Sequence, residues 1–382
     1  MNKAIKYRAY PTTEQAIKFA QTFGCCRKVW NLMLADKIAY YKATGESLQT
    51  TPAMYKKEYT FLKEVDSLAL ANVQQNLQAA YKSFFDKKRK RRNGFPKFKS
   101  KKYGRKSYTT NCQYPKSSNT IKKPTIRIEG NSIALPKIGN VKAIIHRQPE
   151  ADWIVKSATV SQESDGTFYI SVLFEFEKNI VQVTKSDNVI GLDYKSDGLY
   201  MDSNGNIGSN HKYYRESHKK LAREQRRLSR KVGSEKNQTK SNNYLKQLKK
   251  VNKIHRHIAN QRLDNLHKLS TEIANQYDVV CIESLDMKAM SNKGFGNGKA
   301  TLDNGYGLFL NMLEYKLNDR GKYFIKVDKW YPSSQLCSCC GSQKKLTLAD
   351  RVYKCDCGLK LDRDHNAAIN IKNEGLRLLE AA

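Results

Sequence analysis

Four of the nine cysteines of this 382-residue chain fall into two close pairs, Cys337 with Cys340 and Cys355 with Cys357, separated by 14 residues. A glycine follows each pair, Gly341 and Gly358, and allows the chain to turn tightly. Paired thiolates at this spacing suit one tetrahedral zinc ion. The second pair is contracted to Cys-x-Cys, and Cys339 is a spare thiol inside the first, so spacing alone leaves one ligand open between neighbours. Buried or disulfide-linked cysteines are the competing reading, but disulfides belong to oxidising compartments, and Met1 leads into basic residues without an apolar signal segment.

Directly after the cysteines come Asp362, Arg363, Asp364 and His365, then an apolar pattern in Ala367, Ala368, Ile371 and Leu378 that predicts a helix with one face toward a core. An aspartate at a helix start is most often a cap that accepts backbone N–H groups, and either Asp362 or Asp364 alone reads that way. Two upstream acids give them possible partners. A β-rich run ends in Asp193, and the apolar run 279–282, of the kind found in strands buried on both faces, closes on Glu283. An acid closing a buried strand is costly unless it is paired or binds a cation. Asp193, Glu283 and Asp364 together have the chemistry to hold two divalent ions that clamp the attacking and leaving oxygens of a phosphodiester.

GLDYKSDGL at 191–199, CIES at 281–284, the cysteine pairs and DRDHNAAINI at 362–371 resemble the three split RuvC motifs and zinc ribbon of TnpB, the RNA-guided nuclease of bacterial insertion sequences, a relative of type V CRISPR effectors and Fanzor. The resemblance spans nearly the whole chain, because Tyr10-Pro-Thr-x-x-Gln15, Phe23-Gly-Cys-Cys-Arg27 and Gly94-Phe-Pro-Lys-Phe-Lys99 also look like that family. The contracted second knuckle and the short tail after the last motif depart from its pattern. Carried over by motif, the resemblance implies that Asp193, Glu283 and Asp364 are the catalytic carboxylates and Mg²⁺ ligands, with Asp362 the less favoured choice.

The resemblance also implies the architecture: a multidomain α+β chain with an RNase H-like (RuvC) nuclease core, an inserted zinc ribbon, and a small antiparallel β-barrel carrying an inserted helical domain. The boundaries are 1–11 and 119–182 for the wedge-like barrel, 12–118 for the helical recognition domain, 183–330 and 361–382 for the nuclease core, and 331–360 for the ribbon. Two Mg²⁺, one Zn²⁺, a guide RNA and double-stranded target DNA follow as cofactors and partners. The expected state is a monomer with RNA, cytoplasmic and nucleoid-associated in a prokaryote.

Composition sets the bounds within which those elements lie. The net charge of +33, from 69 Lys and Arg against 36 Asp and Glu, marks a polyanion binder. No apolar run reaches membrane-spanning length. Residues 3–10 alternate and predict an edge strand; Thr12 and Gln15 form a capping box; and Ile17, Ala20, Cys26, Val29, Trp30 and Met33 recur at helical spacing, which makes Cys25 and Cys26 core residues rather than ligands.

A second helix, 67–92, buries Leu70, Val73, Leu77, Tyr81 and Phe84 and carries Gln74, Gln75, Gln78 and Lys82 on its other faces, where glutamines can read base edges. Between Asp86 and Lys106 there are 12 basic residues against one acid, a composition that predicts a flexible phosphate-binding arm. Within it, Lys97 and Lys99 offer charge, while Phe95, Phe98 and Tyr103 offer stacking surfaces. Residues 125–177 read as antiparallel strands. Residues 211–276 read as a basic helical hairpin whose Arg226 and Arg227 are candidate contacts. His255 and His257 fall on one of its helices, whereas a metal-binding pair across one residue needs a strand to point the same way. A glycine-rich loop, 291–307, precedes the next helix.

With those residues, what the resemblance implies is an RNA-guided DNA endonuclease that cuts beside a short adjacent motif by two-metal-ion hydrolysis. An unguided resolvase or transposase is the alternative within the fold, and a non-catalytic RNA-binding scaffold the alternative outside it.

Overall fold

A computed structural model describes residues 1–86, 94–102, 104–116, 122–184, 188–209, 211–232, 240–290, 303–347 and 350–381. The basic run 87–92, Tyr103 and most of the glycine-rich loop lie outside the described residues. The chain forms two compact units, Met1–Lys178 and Asn179–Ala382.

The first unit is built on an antiparallel sheet of seven strands: β1 (Asn2–Tyr10), β2 (Lys106–Asn111), β3 (Arg127–Glu129), β4 (Ser132–Leu135), β5 (Gly139–Ile144), β6 (Ile154–Gln162) and β7 (Phe168–Glu175), in the order β2-β6-β7-β1-β5-β4-β3. Residues 3–10, expected at an edge, instead pair with β7 on one side and β5 on the other. Alternation of Ile5, Tyr7 and Ala9 into the core reports which face is buried, not how many neighbours a strand has. Lys106–Asn111, expected within the helical segment, is a strand of this sheet. Beyond the two outermost strands, the Thr125 N–H donates to the Gln113 carbonyl and the Gln113 N–H to Thr125 Oγ1, both at 2.9 Å.

Helix α1 (Thr13–Thr44) starts at the expected capping box, with Thr12 Oγ1 accepting the Gln15 N–H and Gln15 Oε1 accepting the Thr12 N–H. Its early buried face is Phe19, Thr22 and Phe23, whereas Ile17 is 55% exposed and Ala20 is also exposed. The stripe predicted from Ile17 and Ala20 was placed to one side because the larger Phe19 and Phe23 rings take the core position. Cys25 and Cys26 are buried as expected. Helix α2 (Ser67–Phe85) buries Leu70, Val73 and Leu77 in the same core.

Residues 94–99 do not form a free arm. Trp30 Nε1–H donates to the Lys97 carbonyl, and Asn31 exchanges two hydrogen bonds with the Lys99 backbone, so this stretch is fastened to α1. The arm was expected to be free because its charge was read without the two α1 side chains that hold its backbone.

In the second unit a sheet of four strands, β11-β10-β8-β9, is made of β8 (Val189–Tyr194), β9 (Tyr200–Asp202), β10 (Val279–Glu283) and β11 (Tyr323–Val327). β10 runs parallel to both β8 and β11. Strands of this kind are buried on both faces. Ile190, Leu192, Val280 and Ile282 join one core with α4 (Asn242–Gln276) and α6 (Tyr306–Asn318). Val189, Val279 and Cys281 join another with Ile371 and Leu379 of α7 (Arg363–Glu380).

The basic hairpin pairs α3 (Tyr213–Ser229) with α4 through a buried bond from Gln247 Nε2 to Glu224 Oε2, 2.8 Å; its tip, 233–239, is outside the described residues. A short helix α5 (Met287–Met290) follows β10, and β12 (Val352–Lys354) pairs with β13 (Lys360–Asp362) before α7. Among the described residues no helix is long and apolar enough to cross a membrane.

Gly191 permits the close approach of α7 to β8, because a Cβ there would stand 2.2 Å from the Ala368 carbonyl oxygen and 2.7 Å from the Lys372 nitrogen. Both obstacles are backbone, so neither can rotate away. Gly191→Ala is expected to cost about 1–3 kcal/mol through overpacking and to push α7 outward at Ala368 and Lys372. Denaturant titration checks the stability loss, and an unchanged midpoint would contradict this packing.

Candidate metal centres

β8 and β10 run in parallel register with Leu192 beside Ile282, which brings Asp193 level with Glu283 at the same sheet end. Side chains alternate along a strand. Leu192 and Ile282 face the α4–α6 core, so Asp193 and Glu283 face the opposite side, where α7 packs. The first turn of α7 carries Asp364. The two candidate aspartates of that turn divide their work. Asp362 is the N-cap, its Oδ1 accepting the Asp364 N–H at 2.9 Å and the His365 N–H at 3.2 Å. Asp364 is free of capping, and its Oδ2 meets Lys195 Nζ at 2.6 Å, both side chains being largely buried.

The acids of this corner crowd one another, and the cations beside Asp364, Lys195 and Arg363, do not offset the burial of Asp193. Burial pushes the Asp193 carboxyl well above its usual range, with the Glu283 and Asp364 charges adding to the shift. Burial also pushes Glu283 up to about 6. A carboxyl whose folded pKa is raised favours the folded state below its unfolded value, and that contribution disappears as pH rises through the folded pKa. Without divalent ions, wild-type protein is therefore expected to lose thermal stability relative to Glu283→Gln as pH climbs from about 4.5 past about 6. If these acids hold a divalent ion, the stabilisation it produces should appear over the same interval. Thermal melts across pH check both; a wild-type/variant difference independent of pH contradicts them.

The cysteines form the second centre. The Sγ atoms of Cys337, Cys340, Cys355 and Cys357 all lie within 4.8 Å of one another, with Cys337–Cys357 and Cys340–Cys355 at 3.6 Å. A tetrahedral ion with Zn–S bonds of about 2.3 Å needs sulfur–sulfur edges of roughly 3.8 Å, so this cage fits zinc. Gly341 and Gly358 take the left-handed φ values, 75° and 91°, that turn each knuckle. Ser342 Oγ stands 3.1 Å from both Cys340 and Cys355 Sγ, and its hydrogen bond is the main cause lowering both thiols, Cys355 to about 6. Cys339 is exposed and lies outside the four. Metal analysis is expected to find one zinc per chain, retained by Cys339→Ser and lost on Cys355→Ser; zinc loss with Cys339→Ser would reassign the cage.

No other group of three or more His, Cys, Asp or Glu residues converges this closely among the described residues, and His255 and His257 lie on α4. Of the nucleic-acid candidates, Gln75, Gln78 and Lys82 are exposed along one side of α2, with Gln74 half-buried beside them. Lys97 is exposed, Phe98 is 58% exposed, and the Lys99 ammonium sits 3.8 Å from the Trp30 ring centroid. Arg226 is exposed on α3, while Arg227 is held by Glu224 at 2.9 Å.

Sequence reasoning missed Lys195, one cation among 69, and the hydroxyl of Ser342. It also passed over Asn366 and Asn370, both buried in α7, whose four-residue spacing on one helix face was the available signal.

Three family models match: "Helix-turn-helix domain" over residues 1–46, "Probable transposase" over 169–293, and "Cas12f1-like, TNB domain" over 306–371. Within residues 1–46 this chain forms β1 and the single helix α1. A protein of Streptomyces pristinaespiralis named "Putative RNA-guided DNA endonuclease" is 34% identical over 98% of this chain and 90% of its own length. An Escherichia coli K12 protein named "Putative RNA-guided DNA endonuclease InsQ" is 30% identical over 99% of this chain and 93% of its own length. The Cas12f1 chain solved by cryo-EM with sgRNA and target DNA shares the fold at TM-score 0.55 and 15% identity, over 98% of this chain and 99% of that one.

Proposed function

The chain belongs to the TnpB family, and from that membership we propose that it is an insertion-sequence-encoded, RNA-guided DNA endonuclease whose catalytic carboxylates are Asp193, Glu283 and Asp364. The observation that carries the site assignment is the delivery of three acids from distant parts of the chain to one end and one side of a buried sheet, two of them with raised pKa values. A basic scaffold that only binds RNA gains nothing from crowding acids there.

In this reading the second unit is an RNase H-like (RuvC) core, 183–330 and 361–382, with residues 331–360 as its zinc ribbon. The first is a wedge-like barrel, 1–11 and 119–182, joined by β2 and carrying the helical recognition domain within 12–118. Mg²⁺ bound at the acids supplies water activation and stabilisation of the departing oxyanion. Asp193 and Glu283 hold their carboxylates at fixed strand ends, so their positions cost little to maintain. Asp362 anchors the first turn of α7 and leaves Asp364 available. Lys195 neutralises Asp364 and is placed to exchange that partner for a backbone phosphate.

Gln74, Gln75, Gln78, Lys82, Lys97, Phe98, Lys99, Arg226 and Arg227 are proposed contacts for guide RNA and duplex DNA, with Lys99 and Arg227 partly committed to Trp30 and Glu224. The protein acts as a monomer with its RNA in the prokaryotic cytoplasm, on the nucleoid. Purified protein is expected to carry RNA, and ribonuclease treatment to abolish plasmid cleavage. Cleavage that survives complete removal of RNA would favour the unguided nuclease instead.

A further inference from the structure

Two buried asparagines of α7 grip the cysteine cage. Asn366, with no exposed surface, donates from Nδ2 to the Leu336 carbonyl at 2.7 Å and accepts the Ser338 N–H at Oδ1 at 3.0 Å. Those backbone groups flank Cys337, so one amide side chain brackets the first cage ligand on both sides. One turn further along, Asn370, 4% exposed, donates to the Ser333 and Leu336 carbonyls at 2.8 and 2.7 Å. Asparagine is a weak helix former, and neither amide bonds within its own helix, so helix formation does not account for the pair.

Asp364 precedes Asn366 by two residues, and two residues turn an α-helix by about 200°. The helix therefore has the knuckle against one side of its first turns and sends Asp364 toward nearly the opposite side, where Asp193 and Glu283 stand. A short knuckle owes its rigidity to ligation of its thiolates. Once rigid, it fixes both the rotation and the axial position of the turn that Asn366 holds.

We propose, on the reading that Asp193, Glu283 and Asp364 form the nuclease centre, that Asn366 and Asn370 are positioning residues through which the loaded cysteine cage sets the divalent-ion affinity of that centre. Zinc in the ribbon then tunes the acid site as well as holding the ribbon folded. The amides bond the backbone beside one cage ligand and sit on the helix that carries Asp364, and losing groups that orient a metal ligand typically changes metal affinity by about 10–100-fold.

The test uses full-length protein loaded with its RNA. Zinc content is measured by thiol-blocked release, Mn²⁺ binding without DNA by calorimetry, and plasmid cleavage as a function of Mg²⁺ concentration. Asn366→Ala is expected to retain one zinc per chain while weakening Mn²⁺ binding, and raising the half-saturating Mg²⁺, by about tenfold. Stripping zinc from wild type should produce a similar shift, and stripping it from Asn366→Ala little more, because the link is already cut. A purely structural amide would lower the melting temperature and leave ion affinity in the folded protein unchanged. If Asn366→Ala does not fold, Asn370→Ser, which leaves the Asn366 bracket in place, should show the smaller shift in the same direction. Variants with wild-type ion affinity, or equal shifts on stripping zinc from both proteins, would overturn the coupling. A wild-type protein that binds no divalent ion would instead overturn the acid-site reading beneath it.

Discussion

Asp193→Ala, Glu283→Ala and Asp364→Ala proteins are each expected to lose target cleavage by about 10³-fold or more, equivalent to roughly 4 kcal/mol of transition-state stabilisation, while nucleic-acid binding persists. Binding persists because a chain of net charge +33 gives up one negative charge in each case, which weakens no phosphate contact. The stability effects differ among the three. Asp193 is held above its ordinary pKa by burial and by two like charges, so its removal should raise the melting temperature of ion-free protein. Asp364→Ala strands the largely buried Lys195 ammonium and should lower it. Asp362→Ala removes the cap of α7, at about 1 kcal/mol, and should reduce cleavage only through a less ordered first turn. Opposite melting shifts with the same loss of cleavage would separate chemistry from unfolding. An active Asp364→Ala protein beside an inactive Asp362→Ala protein would reassign the third carboxylate, and a triple variant that still cuts would end the catalytic assignment.

The placement of Asp193 and Glu283 at the ends of buried strands was legible in sequence because strand physics leaves a distinctive trace. A run such as Val279-Val-Cys-Ile282 is apolar at every position only if both faces are covered, and an acid at its end then needs an explanation. Which of Asp362 and Asp364 caps α7 was not legible from spacing, since both occupy plausible capping positions; the hydrogen bonds of Asp362 make it the cap. Periodicity also leaves neighbours unspecified. The alternation of β1 reports one covered face equally well for an edge strand and for the interior strand it proves to be. On α1 the apolar stripe through Ile17 satisfied helical spacing as well as the one through Phe19 and Phe23, and only packing distinguishes them. Lys195, Ser342, Asn366 and Asn370 escaped notice for a related reason. Their importance lies in the bonds they make once the chain is folded, across 13 residues for Ser342 and Cys355 and 169 for Lys195 and Asp364, and their types are unremarkable where they stand.

Replacing the targeting end of the bound RNA is expected to move the cut site on a plasmid to the newly matched sequence, provided the same short motif lies beside it. The argument begins with charge. A net charge of +33 exceeds what one duplex contact requires and suits a folded RNA together with a heteroduplex held by its backbone. Such a surface supplies affinity with little information about sequence, because phosphate contacts position a nucleic acid and base contacts specify it. The candidate base readers are few: Gln75 and Gln78 stand exposed on α2, with Gln74 half-buried beside them, enough for a short motif and far too little for a long target. Sequence choice beyond that motif must then come from pairing with the RNA. Gln75→Ala and Gln78→Ala should accordingly relax the requirement for the adjacent motif without moving the cut. Salt dependence cannot distinguish the alternatives, since an unguided enzyme with the same surface would show it too. The guide exchange can. Cleavage that stays at the original sequence after the RNA is changed would mean that the protein reads its target directly, and the guided reading would fall.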